Sequence, residues 1–180
     1  AHFGLACYTP AEIRTGYNVP NTLTGTGQTI VIVDAFGSPT IAHDLHVFDL
    51  IFGLPDPTLN VFFPTGNPQF NPRQAHGQVG WAFETSLDVE WAHAIAPGAT
   101  IDLVVAATNG GNVLNIAERF AIAHHLGNVM SMSFGAPEAA IAGKGNNLQL
   151  KQADANFQAA KAAGITVFAA SGDSGAFTCL

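Results

Sequence analysis

Positive charge is scarce in this chain. Six Lys and Arg stand against thirteen Asp and Glu in 180 residues, and only 11% of the residues are charged, where an average globular protein has about 25%. So few bases argue against a nucleic-acid or anionic-membrane surface. They also limit positive self-repulsion once carboxylates protonate, a composition compatible with work in acid. Cysteine is nearly absent: Cys7 and Cys179 lie near opposite ends. They either close a disulfide in a secreted protein or stay free and buried. No Cys/His cluster has zinc spacing, and His124, His125, Glu90 and His93 read as surface residues rather than ligands. No apolar run is long enough to span a bilayer. No signal peptide opens the chain and the first residue is not Met, so a mature or excised segment is expected. Without an internal repeat or an evident boundary, residues 1–180 read as one domain or part of one, able to bury roughly 70% of its unfolded surface.

What is present is a regular alternation. Thr9-Pro10-Ala11-Glu12 is a capping box with Pro at the first helical position. The β-branched run at 28–35 (QTIVIVDA) reads as a buried strand. Ser38-Pro39 then introduces a helix presenting Ile41, Leu45, Phe48 and Leu50 to a core. A strand at 59–63 is followed by a Pro/Asn/Gly/Gln-rich loop reaching Gly80, long enough to suspect function. Beyond it lie a helix at 83–95, a strand at 100–105, a helix at 113–125, a strand at 128–133, a Gly-rich loop, a helix at 148–163 and a strand at 165–170. Strands alternating with helices imply a parallel sheet with right-handed crossovers and helices on both faces.

The most informative pair is Glu84 and Asp88, one helical turn apart. At about 100° per residue, Leu87, Trp91, Ala94 and Ile95 fall on one face with both carboxylates among them. Glu90, His93, Thr85 and Ser86 point the other way. An ionised carboxylate buried without a partner is costly, so such a pair shares a proton or finds a partner, and the two pKa values separate. Acid/base machinery is built this way. Ligands bind beyond the carboxyl ends of parallel strands, where Asp34, Ser133-Phe134-Gly135 and Gly172-Asp173-Ser174-Gly175 are expected. Asp34, Glu84, Asp88 and Asp173 can therefore converge on one edge.

Several chemistries can be weighed against these residues. Gly172-Asp173-Ser174-Gly175 is similar to the nucleophile tetrapeptide of chymotrypsin, but that fold is all-β. Asp34 after a hydrophobic strand is similar to subtilisin's aspartate, yet no His-Gly-Thr-His element follows; Glu84 stands where that histidine helix would lie. No P-loop with Lys-Ser/Thr occurs. Asn109-Gly110-Gly111 reads as a helix-start turn without an anion. A magnesium site on Asp34 and Asp173 is a distant second reading.

The residues that match in order carry a resemblance to a family. They are Tyr8-Thr9-Pro10-Ala11-Glu12-Ile13-Arg14 with Tyr17, the strand from Gly27 to Asp34, and Glu84-x-x-x-Asp88-x-Glu90 running into Ala94-Ile95-Ala96-Pro97-Gly98-Ala99. Ser131-Met132-Ser133-Phe134-Gly135 and Gly164-Ile165-Thr166-Val167 leading to Gly172-Asp173-Ser174-Gly175 complete the set. The chain resembles the sedolisins, serine-carboxyl peptidases with a subtilisin-like fold that act in acid. The resemblance implies a subtilisin-like parallel sheet, incomplete at its C-terminal side, with residues 1–180 the N-terminal portion of a single catalytic domain. It implies Glu84 as the general base, Asp88 as its polarising partner, and Asp173 as the protonated donor of the oxyanion hole. Asp34 would extend the network behind Asp88, and Ser133, Phe134 and Gly135 would supply backbone to an extended substrate strand. The family commonly has Trp at position 134.

The family's nucleophile is a serine in a Gly-Thr-Ser segment downstream, and the six serines here (Ser38, Ser86, Ser131, Ser133, Ser171, Ser174) do not match that motif. The family's calcium site is likewise expected in the C-terminal part, so no cofactor is expected in this chain. The expectation is an acid-acting endopeptidase segment, inert alone. Its partners would be a protein or peptide substrate and a C-terminal complementing segment, in an extracellular or other acidic compartment. The rival reading is an inactive relative or a module that binds peptide along the Ser133 strand without cleaving it.

Overall fold

A computed structural model describes residues 8–69, 71, 76–142, 147–173 and 175. Cys7, Cys179 and Ser174 lie outside these residues, so neither cysteine pairing nor the position of Ser174 is part of the description. The elements run α1 (Pro10–Gly16), β1 (Thr29–Ala35), α2 (Ile41–Phe52), β2 (Leu59–Phe62), α3 (His76–Ile95), β3 (Thr100–Ala106), α4 (Gly111–Ala123), β4 (Val129–Met132), α5 (Glu138–Ala142), α6 (Asn147–Ala162) and β5 (Thr166–Ala169). All pairings are parallel, in the order β2-β3-β1-β4-β5. The expected α/β class and parallel sheet are what the chain forms. The differences lie at the edges: α3 begins at His76, inside the segment read as loop, and α5 forms within the Gly-rich connection. Gly77 and Gly80, poor helix formers, hid the first turn of α3 from the sequence reading.

The central strand β1 shows why a continuous apolar run is needed here. Its alternate side chains go to opposite faces, and both faces are covered. Val31, Val33 and Ala35 join a core with Leu114, Ala117 and Ala121 of α4 and Ala160 of α6. Ile32 joins a second core with Ile41 and Leu45 of α2 and Val89 of α3. Asp34 follows Ile32 at the same parity, so it points to the α3 face and is fully buried. Directly after β1, Phe36 and Gly37 both adopt left-handed backbone (φ 60° and 64°). That conformation disfavours a side chain such as Phe, and it turns the chain sharply away at the strand end.

The capping box forms as expected, with Glu12 N–H donating to Thr9 Oγ1 and Thr9 N–H donating to Glu12 Oε2 at 2.8 Å. Arg14 then donates to the carbonyls of Pro20 and Leu23 (3.0 and 3.2 Å) and to that of Ile95, a cation at the C-terminal end of α3 where the helix dipole favours it. The turn after α3 depends on Gly98, whose N–H donates to Thr24 O at 2.7 Å. A Cβ there would run into Thr26 Oγ1, so only glycine permits the close approach. These contacts hold both ends of the entry segment against α3.

The expected face of α3 needs correction. Thr85, Val89 and His93, spaced i, i+4, i+8, form a stripe of 0% exposure, whereas Leu87 is 41% exposed and Phe83 73%. Thr85 and His93, read as solvated, are therefore core residues, and His93 is no surface histidine. Ala94 is also buried, on a side that α1 covers: it shares a pocket with Pro10, Ala11 and Arg14. In α2, Ile41 and Leu45 are buried as expected, but Leu50 is 69% exposed and Asp49 takes the buried place. His124 and His125 are exposed, as read.

Candidate active site

The segments that follow β4 and β5 and the middle of α3 surround one cleft of about 710 Å³. Glu84, Asp88, Ser133, Phe134, Gly135 and Asp173 line it. Parallel strands end in register here, so residues far apart in sequence arrive at one edge. Trp81 lies one turn before Glu84 and walls the cleft with Phe134, their ring centroids 6.3 Å apart. Trp81 was not singled out from the sequence, because it falls between the loop read as far as Gly80 and the helix read from Phe83. Ala136, Pro137, Ala170 and Ser171 also line the cleft.

Asp34 does not line the cleft; it lies behind it. Its carboxyl is pushed up to about 8, first by burial, then by the charge of Asp88, with Thr85 pulling it back and Glu84 adding to the rise. Asp88 is pushed up to about 6, again by burial first, with the Glu84 charge adding and Ser133 opposing. That opposition is visible as a hydrogen bond: Ser133 Oγ donates to Asp88 Oδ1 at 2.9 Å. A hydroxyl donor favours the ionised carboxylate. Asp88 is thus held near the point where it can give or take a proton in mild acid, and Asp34 behind it keeps its proton through neutrality. Glu84 sits one turn before Asp88 on the cleft side. Asp173 is exposed at the opposite wall.

The magnesium reading does not fit this arrangement. Asp34 is sealed beneath α3 and Asp173 is exposed on the cleft, so the two carboxylates do not share a site. Among the described residues no group of three His, Cys, Asp or Glu side chains is placed to hold an ion, and no helix is long and apolar enough to cross a membrane.

These features define an α/β protein with a carboxyl-rich site at the strand ends. No protein-family model matches the chain. Kumamolisin of Bacillus sp. (strain MN-32) is 31% identical over 172 residues, which cover 93% of this chain and 29% of that protein. Among solved structures, Pseudomonas sedolisin, a serine-carboxyl proteinase complexed with two molecules of pseudo-iodotyrostatin, superposes with a TM-score of 0.77 at 25% identity. That match covers 96% of this chain and 46% of the sedolisin chain. In sequence and in fold the chain is thus similar to sedolisin-family peptidases, and it spans less than half the length of either relative.

Proposed function

We propose that this chain is the N-terminal portion of an acid-acting serine-carboxyl endopeptidase domain, carrying the base and oxyanion sides of the site. The observation that carries the reading is Asp88. It is a half-buried carboxyl with a pKa of about 6, between Glu84 on the cleft and the protonated Asp34 behind. A carboxylate can act as general base toward a hydroxyl only if its conjugate acid is stabilised once the proton arrives. In this reading Glu84 takes the proton from an attacking serine, and Asp88 shares that proton. Asp173, across the cleft, donates a hydrogen bond to the developing oxyanion while it is protonated. Acid is required because one carboxyl must remain neutral to donate while another accepts. Ser133, Phe134 and Gly135 at the end of β4 would pair with an extended peptide, and Phe134 would present an apolar wall where the family commonly has Trp.

The attacking serine would come from a complementing segment, as would the family's calcium site. The edge strand β5 supports this. Phe168 is 59% exposed, and Thr166 and Ala169 are exposed as well. Strands of parallel sheets are ordinarily covered on both faces, and an open edge invites pairing. An extracellular or other acidic compartment follows from the same reading.

The test is intact-mass measurement and C-terminal peptide mapping of the native protein, followed by proteolysis assays at pH 4 and pH 7. A product well above the 18.7 kDa of these residues, carrying a Gly-Thr-Ser peptide and losing acid proteolysis in Glu84→Gln, is the expected result. A product of these residues alone that binds peptide without cleaving it would favour the non-catalytic reading. Proteolysis by the 180-residue chain that is abolished by Ser174→Ala and untouched by Glu84→Ala would overturn the assignment of roles.

A further inference from the structure

Behind the cleft, four buried oxygens face a shortage of protons. Asp34 Oδ1 and Oδ2, Asp88 Oδ2 and Thr85 Oγ1 are all shielded from solvent, and none completes a hydrogen bond. The other Asp88 oxygen is already served by Ser133. If both carboxyls were ionised, three acceptor oxygens would depend on one hydroxyl proton. Each buried acceptor left over costs about 1–3 kcal/mol. With one proton added to Asp34, donors and acceptors balance: two hydroxyl protons face two remaining acceptors.

The direction of that chain is settled by Thr85. A threonine inside a helix usually turns its hydroxyl back to the carbonyl four residues earlier. Here the side chain is fully buried, and its hydroxyl does not make that bond. It acts on Asp34, which faces α3 from β1, and favours the ionised form there, as a hydroxyl donor does. Because the β-branched side chain is stiff about its first torsion, the hydroxyl is presented in a restricted direction. The titratable groups that act on Asp34 are Asp88 and Glu84, both from α3.

We propose that Thr85 is a positioning residue: its hydroxyl donates to one Asp34 oxygen, which turns the Asp34 proton toward Asp88 Oδ2. Asp88 then receives one donor on each oxygen, Asp34 on one and Ser133 on the other. Its remaining lone pairs are left for the proton shared with Glu84. No bond to carbon forms or breaks in this arrangement; it sets only where each proton points. The inference rests on the peptidase reading, in which Glu84 and Asp88 work as a pair.

The experiment is a carbon-13 carboxyl NMR titration of the 180-residue chain, comparing wild type with Thr85→Val and Thr85→Ser. Loss of the hydroxyl in Thr85→Val should move the Asp34 titration upward by about one pH unit, and Thr85→Ser should leave it near the wild-type value. An Asp34 titration unchanged in Thr85→Val, or shifted equally in Thr85→Ser, overturns the proposal and leaves Thr85 as a core residue. Should Thr85→Val fail to fold, Thr85→Ala against Thr85→Ser makes the same comparison, since both lose the methyl and only Ala loses the hydroxyl. Glu84→Gln separates this from the function itself. An Asp88 titration that ignores Glu84→Gln removes the acid–base pair, whereas one that responds keeps the pair whatever Thr85 does.

Discussion

Helix α3 buries polar groups at two places two turns apart, and the two solve the same problem differently. Near its middle, Thr85 and Asp88 meet Asp34, so that carboxyl faces carboxyl with no base among them. Near its C-terminal end, His93 meets Asp49 of α2, Nε2 to Oδ1 3.2 Å, both side chains almost fully buried. At the first place charge is avoided by retaining protons. At the second an acid is set against a base, with burial pushing Asp49 up and the imidazole drawing it back. Glu90, on the same turn as His93, is pushed up to about 7 by burial and by Asp44 and Asp49. Only the first place opens onto a cleft, because it lies at the carboxyl ends of the strands. A proton-sharing cluster beside a cleft can exchange protons with a substrate, while a sealed acid–base pair holds two helices together.

If that contrast is right, the largest effect of a single change should fall on the sealed pair. Asp49→Ala should destabilise the chain by about 3 kcal/mol, because His93 is left buried without its partner. Chemical denaturation at pH 5 and pH 7 would show it, and a loss below about 1 kcal/mol would make the pair no stronger than a surface contact.

Asp34→Asn should behave in the opposite sense. Asp34, Asp88 and Glu90 all hold protons more tightly folded than unfolded. Between the ordinary carboxylate range and about pH 8 the folded state therefore binds more protons, and stability falls as pH rises through that window. Wild type should melt at least about 5 °C higher at pH 4.5 than at pH 8. Asparagine needs no proton, so Asp34→Asn should recover about 5 °C at pH 8 and change little at pH 4.5. A variant that loses stability equally at both pH values would place Asp34 with Asp49, as a group whose buried contacts the fold needs at every pH.

The smallest effect tests the rotation of α3. Leu87→Ser should alter stability by less than about 0.5 kcal/mol, since Leu87 is largely exposed. A loss of about 3 kcal/mol, the size expected for a buried leucine, would show that this face is covered in solution, as a complementing segment on the cleft would do.

The i,i+4 spacing of Glu84 and Asp88 was legible because helix periodicity puts them on one side whatever the helix packs against. Asp34 was legible too, since the apolar run before it could only be a strand buried on both faces and the acid stood at its carboxyl end. Thr85 and His93 were not. Leu87, Trp91 and Ile95 drew the expected apolar face about half a turn away from the stripe that the sheet accepts. Asp49 was hidden in the same way by Leu50, its more apolar neighbour.

The sequence by itself determined the order of strands and helices, the parallel class of the sheet, the scarcity of bases and the one-turn separation of the carboxylates. Each follows from local propensity, periodicity or composition, which act over a few residues. Only the tertiary structure decided how far α3 is rotated about its axis, and hence that Thr85 and His93 are enclosed and Leu87 is not. It also decided that Asp88, Ser133 and Asp173 share a cleft while Asp34 stands behind it. Rotation and convergence depend on the shape that β1 and β3 present to the helix, and no short stretch of sequence contains that surface.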